Sequence, residues 1–260
     1  MNFNVIVTTT INEPTEALIK FSEMKGWKLI VVGDKKTPHS SYKNINCIYL
    51  HPDEQEKEFG SLSEILGWNT IQRRNIGFLK AIQSKAEIIA TVDDDNIPYD
   101  NWGKNLLINK EIEVDVFDCK TGVFDPLSVT SEKHIWHRGY PLNLVKHRNP
   151  IYKGKKIIKP LVQANLWDGD PDIDAVCRIL HKPEVKFDFI EPYTTNQFTP
   201  FNSQNTFLHR SILPFYSVLP FIGRMDDIWG AYYLQYLTKL DVVFCEATVY
   251  QQRNEHNLIT

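Results

Sequence analysis

Three adjacent carboxylates, Asp93-Asp94-Asp95, follow directly on the apolar run Ile88–Val92. Three neighbouring negative charges repel one another, and crowding them without compensation is costly. A divalent cation removes that cost. If the segment continues as an extended strand, alternation points Asp93 and Asp95 the same way. The two can then share a hard cation, Mn²⁺ or Mg²⁺, that keeps positions open for phosphate oxygens. The competing reading is a solvated turn or a helix cap.

Four further clusters carry side chains suited to an anionic, polyhydroxylated ligand. Thr8-Thr9-Thr10-Ile11-Asn12-Glu13 follows the first apolar run, and its hydroxyls and amides suit a nucleotide base or ribose. That makes Thr8 and Thr9 candidates, against a plain alternative in which Asn12 caps a helix. Asp34, after Trp27–Gly33, could accept from a base or ribose. In Arg73-Arg74, one guanidinium could meet a diphosphate bidentately, and Arg74 is the candidate; a solvated helix face accounts for the other. Asn202, Gln204 and Asn205, within FNSQNTF, are the amide candidates, with an ordinary polar loop as the alternative.

Two more segments could act on the reaction itself. His134–Pro141 (HIWHRGYP) places Arg138 before a Gly139 turn stiffened by Pro141, where it could neutralise a phosphate or meet a sugar. His134 fits packing. Arg224-Met225-Asp226-Asp227 opens a helix that needs only one capping carboxylate. Asp226 is expected to cap, which leaves Asp227 free to act as a base or a sugar contact. His209 and His256 show no ligand-like spacing. Neither G-x-G-x-x-G nor a Walker A sequence occurs, which disfavours a dinucleotide dehydrogenase or P-loop NTPase.

These groups need a frame. Strand-like runs at Asn4–Thr9, Trp27–Gly33, Asn46–Leu50 and Ile88–Val92 alternate with helical patterns. Asn12, Pro14 and Gly26 bound the first helix. In Asn69–Ser84, Ile71, Phe78, Leu79 and Ile82 share a side, with Arg73, Arg74 and Lys80 elsewhere. Strands apolar on both faces predict a parallel sheet covered by helices, with ligands at the carboxyl ends of its strands. Residues 115–200 read as loops and short antiparallel strands over that sheet. From Asp226 a helix is expected with Trp229, Tyr233, Leu237 and Leu240 on one face, then a strand at Asp241–Tyr250. With no Gly/Ser linker, residues 1–260 read as one domain.

Composition narrows the class. The 260 residues are 42% hydrophobic and 23% charged, enough apolar material for a core and unlike a disordered chain. Twenty-nine basic and 32 acidic residues give a net charge of −3, which argues against a nucleic-acid partner. No apolar run is long enough to span a membrane, and no secretory signal is visible. Cys47, Cys119, Cys177 and Cys245 lie far apart and form no C-x-x-C pair, as expected of free thiols in the cytoplasm. Nothing in the residues specifies an oligomer.

In this order the motifs resemble glycosyltransferases of the GT-A fold. The chain looks most like the plant reversibly glycosylated polypeptides, or UDP-arabinopyranose mutases, and the STELLO family. The resemblance rests on VDDD at Val92–Asp95, RGYPLN at Arg138–Asn143, NSQNTFLHR at Asn202–Arg210 and RMDDIWGAY at Arg224–Tyr232. The opening VIVTTTINEP and GWKLIVVGDKKTP are STELLO-like. It implies an α/β domain with a mixed, mostly parallel central sheet flanked by helices. It also implies nucleotide-sugar binding, with Asp93 and Asp95 matching the acidic motif that holds Mn²⁺ or Mg²⁺; a UDP-sugar donor is then expected at the candidates read above, Thr8, Thr9, Asp34, Arg74, Asp93, Asp94, Asn202, Gln204 and Asn205. Arg138 matches the arginine that the mutases require and that becomes reversibly glycosylated. Asp226-Asp227 match their paired acids, near the place where other GT-A enzymes hold an acceptor base. Where the mutases have RGYPFSLR this chain has RGYPLNLVK, and neither their C-terminal extension nor a STELLO membrane segment is expected. The favoured activity is sugar transfer to a hydroxyl acceptor, a glycan. A pyranose–furanose mutase and a non-catalytic assembly protein of the same fold are the alternatives.

Overall fold

The structure is a computed structural model that describes residues 3–181 and 183–252; His256 lies outside the described residues. The described strands form a single sheet: β1 (Asn4–Thr10), β2 (Trp27–Gly33), β3 (Cys47–Leu50), β4 (Ile88–Val92), β5 (Asn96–Pro98), β6 (Ile112–Asp118), β7 (Ile151–Ile158), β8 (Val162–Gly169), β9 (Tyr193–Thr194), β10 (Asn205–His209) and β11 (Val242–Gln251). Their order is β3-β2-β1-β4-β10-β8-β11-β9-β6-β7, with β5 on β11. β1 through β4 pair in parallel, β10 runs antiparallel between β4 and β8, and β11 lies parallel to β8. This is the α/β architecture with a mixed, mostly parallel central sheet flanked by helices that the GT-A resemblance implies.

The strands are apolar on both faces because both faces are covered. Val5, Val7, Ile30 and Val32 pack into one core with Ile76, Phe78 and Ala81 of α3 (Arg74–Gln83) and with Ala231 and Leu234 of α5 (Asp226–Thr238). Ile6, Leu29 and Val31 face the other core, with Ala17, Leu18 and Phe21 of α1 (Glu16–Ser22) and the side chains of Trp102 and Phe207. Two further helices, α2 (Pro52–Leu66) and α4 (Ala175–His181), complete the helical set among the described residues.

Several local expectations are corrected. Thr15, not Asn12, caps α1, its hydroxyl accepting from Leu18 N, because Asn12 is turned towards Asp94. The predicted helix at Asn69–Ser84 is a short 3₁₀ turn at Ile71–Arg73 followed by α3. Arg73 is not on a solvated face. It is buried, bonds Gln55, Ser63 and Gly67, and lies 3.6 Å above the Trp68 ring. Residues 115–200 do not merely lie over the sheet: β7 and β8 extend it, each eight residues long. α5 packs through Ile228, Ala231, Leu234 and Gln235, while Trp229, Tyr233 and Leu237 share an exposed face, and Leu240 lies beyond the helix.

Gly230 explains how closely α5 approaches its neighbour. A Cβ there would stand 2.0 Å from the Ser217 carbonyl oxygen. Helix propensity favours alanine over glycine by about 1 kcal/mol. Overpacking against a fixed backbone costs towards the upper end of about 1–3 kcal/mol and wins. Gly230→Ala is therefore expected to lower the urea midpoint, and a stabilised variant would contradict this packing.

Candidate active site

The carboxyl ends of β1, β2 and β4 open on a cavity of about 270 Å³, lined by Thr9, Thr10, Ile11, Asn12, Asp34, Asn69, Thr70, Ile71, Arg74 and Asp93-Asp94-Asp95. This is the strand edge at which ligands of open α/β sheets collect. The three aspartates do not continue β4. Asn96 N donates to Asp93 O at 3.4 Å, closing a turn between β4 and β5, so strand alternation does not set their directions. All three nevertheless line the same cavity. Asp94 is held from β1 and the loop after it: Thr10 Oγ1 donates to its Oδ2 at 2.5 Å and Asn12 Nδ2 at 3.0 Å.

The other nucleotide-site candidates divide. Thr9 and its neighbour Thr10 reach the cavity, whereas Thr8 is fully buried with its hydroxyl on Thr9 O. Asp34 lines the cavity, but its oxygens already accept from Lys35 N, Asn69 N and Thr70 N, so it clamps one loop to another. Asn205 is buried scaffold: its amide donates to Leu166 O and Thr248 Oγ1 and accepts from Trp102 Nε1. Asn202 and Gln204 are buried too, bonded to each other, to Asp172 and to Asn96.

A chain of charges ties this cavity to the later motifs. Arg74, fully buried, donates to Asp93 Oδ1 at 2.7 Å, and to Ser203 O and Oγ at 2.9 and 2.7 Å. Ser203 N and Oγ in turn donate to Asp227 Oδ2 at 2.9 and 3.2 Å. Arg138 Nη2 spans both Asp227 oxygens at 3.0 Å, and its Nε spans both Asp172 oxygens at 2.8 and 2.9 Å. Arg138 also donates to Arg224 O. Gly139, at φ 88°, makes the turn that aims this arginine, and a Cβ there would meet Ile228 Cγ2 at 2.3 Å. Four motifs far apart in sequence thus meet in one network. Asp172, in the loop after β8, went unrecognised in the sequence because no periodicity or neighbouring motif marks it.

The acidic pair at the start of α5 does not divide as expected. Met225 is the N-cap residue and makes no side-chain cap bond, so Asp226 is not the cap. Each acid instead accepts from the next residue's N–H, Asp226 from Asp227 and Asp227 from Ile228, both at 2.9 Å, where the helix dipole favours negative charge. Asp227 is saturated by Arg138, Ser203 and Ile228. Asp226 has one side-chain donor, Gln72 Nε2 at 2.5 Å. Burial raises its carboxyl above the usual carboxylate range, and the neighbouring Asp227 charge adds to the rise.

The same two causes act elsewhere in the network. Burial raises Asp93, against the pull of Arg74, and Asp227 and Asp172 add to the rise. Asp172 ends below its ordinary value. Burial pushes it up, but Arg138 and His137 together outweigh that push. Burial lowers Arg138, and Asp172 and Asp227 more than reverse it, so the guanidinium is held charged.

Among the described residues no three His, Cys, Asp or Glu side chains are arranged to hold a metal by themselves. The three adjacent carboxylates in the lining suit a hard cation of the Mg²⁺ type, which is ordinarily held by one or two carboxylates and substrate phosphates. Asp93, with its carboxylate about a third exposed, and Asp95 fit that pattern.

Two stability outcomes follow. Arg138→Met leaves Asp172 and Asp227 without their shared cation and is expected to cost about 3–5 kcal/mol by urea denaturation. Asp226→Asn should act oppositely at neutral pH. A carboxyl raised in the folded state stabilises the fold below its unfolded value of 3.8, and that contribution is lost as pH climbs through the folded value. Asparagine lacks the titration, so the variant should gain on the parent chain between those values and keep the gain at pH 7. A pH-independent difference between the two would contradict the raised carboxyl.

No family model matches the chain. It is 26% identical over 230 residues to Probable glycosyltransferase STELLO2 of Arabidopsis thaliana, covering 79% of this chain and 29% of that protein. To Probable glycosyltransferase STELLO1 of the same plant it is 26% identical over 234 residues, with the same coverage. The chain therefore spans only 29% of the length of these curated relatives. Among solved structures, A197 from STIV aligns with a TM-score of 0.42 and 9% identity, over 97% of this chain and 86% of that one. By sequence, this chain is STELLO-like over most of its own length.

Proposed function

We propose that this chain is a glycosyltransferase that moves a sugar from a nucleotide-diphosphate donor, UDP-linked, to a hydroxyl acceptor. The observation that carries the reading is one charge network running from the cavity at the carboxyl ends of β1, β2 and β4 to the acidic start of α5. The names of the STELLO relatives support the general activity. In this reading Thr9, Thr10 and the loop at Asn69–Ile71 face the nucleotide. The lining is rich in carboxylates, and its one arginine, Arg74, is already committed to Asp93 and Ser203. A diphosphate would be repelled unless a cation accompanied it. When bound at Asp93 and Asp95, Mn²⁺ or Mg²⁺ supplies charge neutralisation for the departing diphosphate.

On the acceptor side the geometry favours Asp226 over Asp227. The acceptor oxygen forms a bond to the anomeric carbon, the bond from that carbon to the phosphate oxygen breaks, and the diphosphate leaves with the electron pair. The hydroxyl proton passes to a carboxylate. Asp227 has both oxygens engaged by Arg138, whereas Asp226 holds only Gln72 and one backbone N–H and has a proton affinity raised by burial. Gln72 also joins Asp226 to Ile71 of the cavity lining. Arg138 acts in this scheme as a positioning residue. The mutase alternative would need an Arg138 nitrogen as nucleophile, and the two carboxylates that hold it charged oppose that role.

Two measurements test the scheme. UDP binding by calorimetry should strengthen at least tenfold on adding Mn²⁺ and weaken in Asp95→Asn; equal affinity in Mn²⁺ and in EDTA overturns the donor site. In a turnover assay with UDP-sugars, Asp226→Asn should lose about 10²–10⁴-fold in kcat while keeping its affinity for UDP. Normal turnover in that variant removes Asp226 as the base.

A further inference from the structure

The apolar face of α5 that is turned outward borders a second cavity, of about 750 Å³, within the usual range of about 300–1,000 Å³ for small-molecule sites. Its walls mix aromatic rings with the aliphatic side chains of Val123, Leu142, Leu219 and Met225. Trp229, Tyr233 and Tyr236 come from α5, Tyr140 from the turn after Arg138, and Phe198 from the loop before β10; Asp174 stands among them. Trp229, Tyr233 and Tyr236 are 54%, 51% and 62% exposed, although each is large and the helix buries a different face. An exposed patch of large apolar side chains marks a binding surface more often than an accident of packing.

The cavity is lined by chain neighbours of the network described above, not by Arg138, Asp226 or Asp227 themselves. Its lining includes Gly139 and Tyr140, which follow Arg138, and Met225, which precedes Asp226. Tyr232 Oη donates to Gly139 O at 3.1 Å, fixing that turn to α5. At the other end the Lys239 ammonium lies 4.8 Å from the Tyr236 ring centre and 5.6 Å from that of Phe198, bracing the two rings.

We propose that this groove binds the saccharide acceptor, an oligosaccharide of more than one sugar ring, whose terminal hydroxyl is thereby presented to Asp226. The assignment rests on the transferase reading. The chemistry of the walls selects the class. Aromatic faces carry partial negative charge and attract the electropositive C–H face of a pyranose ring. Phenolic hydroxyls and the Asp174 carboxylate can meet the sugar hydroxyls at the edges. An aliphatic chain would use neither feature, and the exposure of the three α5 rings leaves the outer face of a bound glycan in water.

The test reads saccharide binding alone, with no donor present. Cellotetraose, mannotetraose, galactotetraose and xylotetraose are titrated by calorimetry and ligand-observed NMR at millimolar concentration. Dodecyl maltoside below its micelle concentration, with maltose as its control, reports binding of an alkyl chain. At least one tetrasaccharide is expected to bind, and Tyr233→Ala combined with Tyr236→Ala should weaken it about tenfold or more. Both positions are exposed, so the fold is expected to survive, and UDP–Mn²⁺ affinity of the same variant, expected unchanged, checks this. The proposal is overturned if no tetrasaccharide binds, if binding ignores the double substitution, or if dodecyl maltoside binds the groove and the free saccharides do not. Saccharide binding at the groove without UDP binding or turnover would sink the transferase reading and with it the acceptor role, leaving a saccharide-binding groove alone.

Discussion

Two arginines, one fully buried and one about a fifth exposed, govern the centre of this molecule. Arg74 and Arg138 are held by carboxylates and hydroxyls drawn from β4, from the loops after β8 and before β10, and from α5. A charge in this setting is tolerable only while every partner stays in place. The network therefore constrains the rest: the turn after β4, the Gly139 turn and the first turn of α5 take the positions that keep both guanidiniums paired with carboxylates. Well-packed apolar side chains often match such buried pairs in stability. The persistence of charge here is better explained by what it holds in register than by what it adds to folding free energy.

That view also explains the unequal carboxylates. Asp172 and Asp227 neutralise Arg138, and Asp93 answers Arg74. Asp226 shares the burial and the repulsion but has only an amide as its side-chain partner. In the proposed transfer, this leaves Asp226 as the carboxylate that takes the proton.

Much of the frame was legible in the sequence. β2 and β4 begin and end where their apolar runs do, because a strand buried on both faces leaves an uninterrupted signature. The location of Asp93–Asp95 followed from that, but their conformation did not, since a turn and a continued strand share the same three letters. The fates of Arg73 and Arg74 were illegible for a different reason. Their partners, Gln55, Ser63 and Ser203, are 10 to 129 positions away, and only the folded chain brings them close. The periodicity in α5 located a real apolar face but not the side it is turned to. Periodicity reports that a face is apolar; whether protein or ligand covers it is decided by the neighbours.

The placing of β10 has a consequence for the order in which the chain is made. β4 lies between β1 and β10, and 113 positions separate its last residue, Val92, from Asn205, the first residue of β10. At about 5–20 residues per second, a ribosome needs roughly 6–23 s to cover that distance. Through that interval β4 offers an unpaired, strongly apolar edge in the centre of what will become the sheet. Ser203, which bridges Arg74 to Asp227, arrives at the end of the same interval, and Asp227 later still. The nascent chain is thus most open to pairing with other chains before its site exists, and the arrival of one five-residue strand closes the edge as the site begins to assemble.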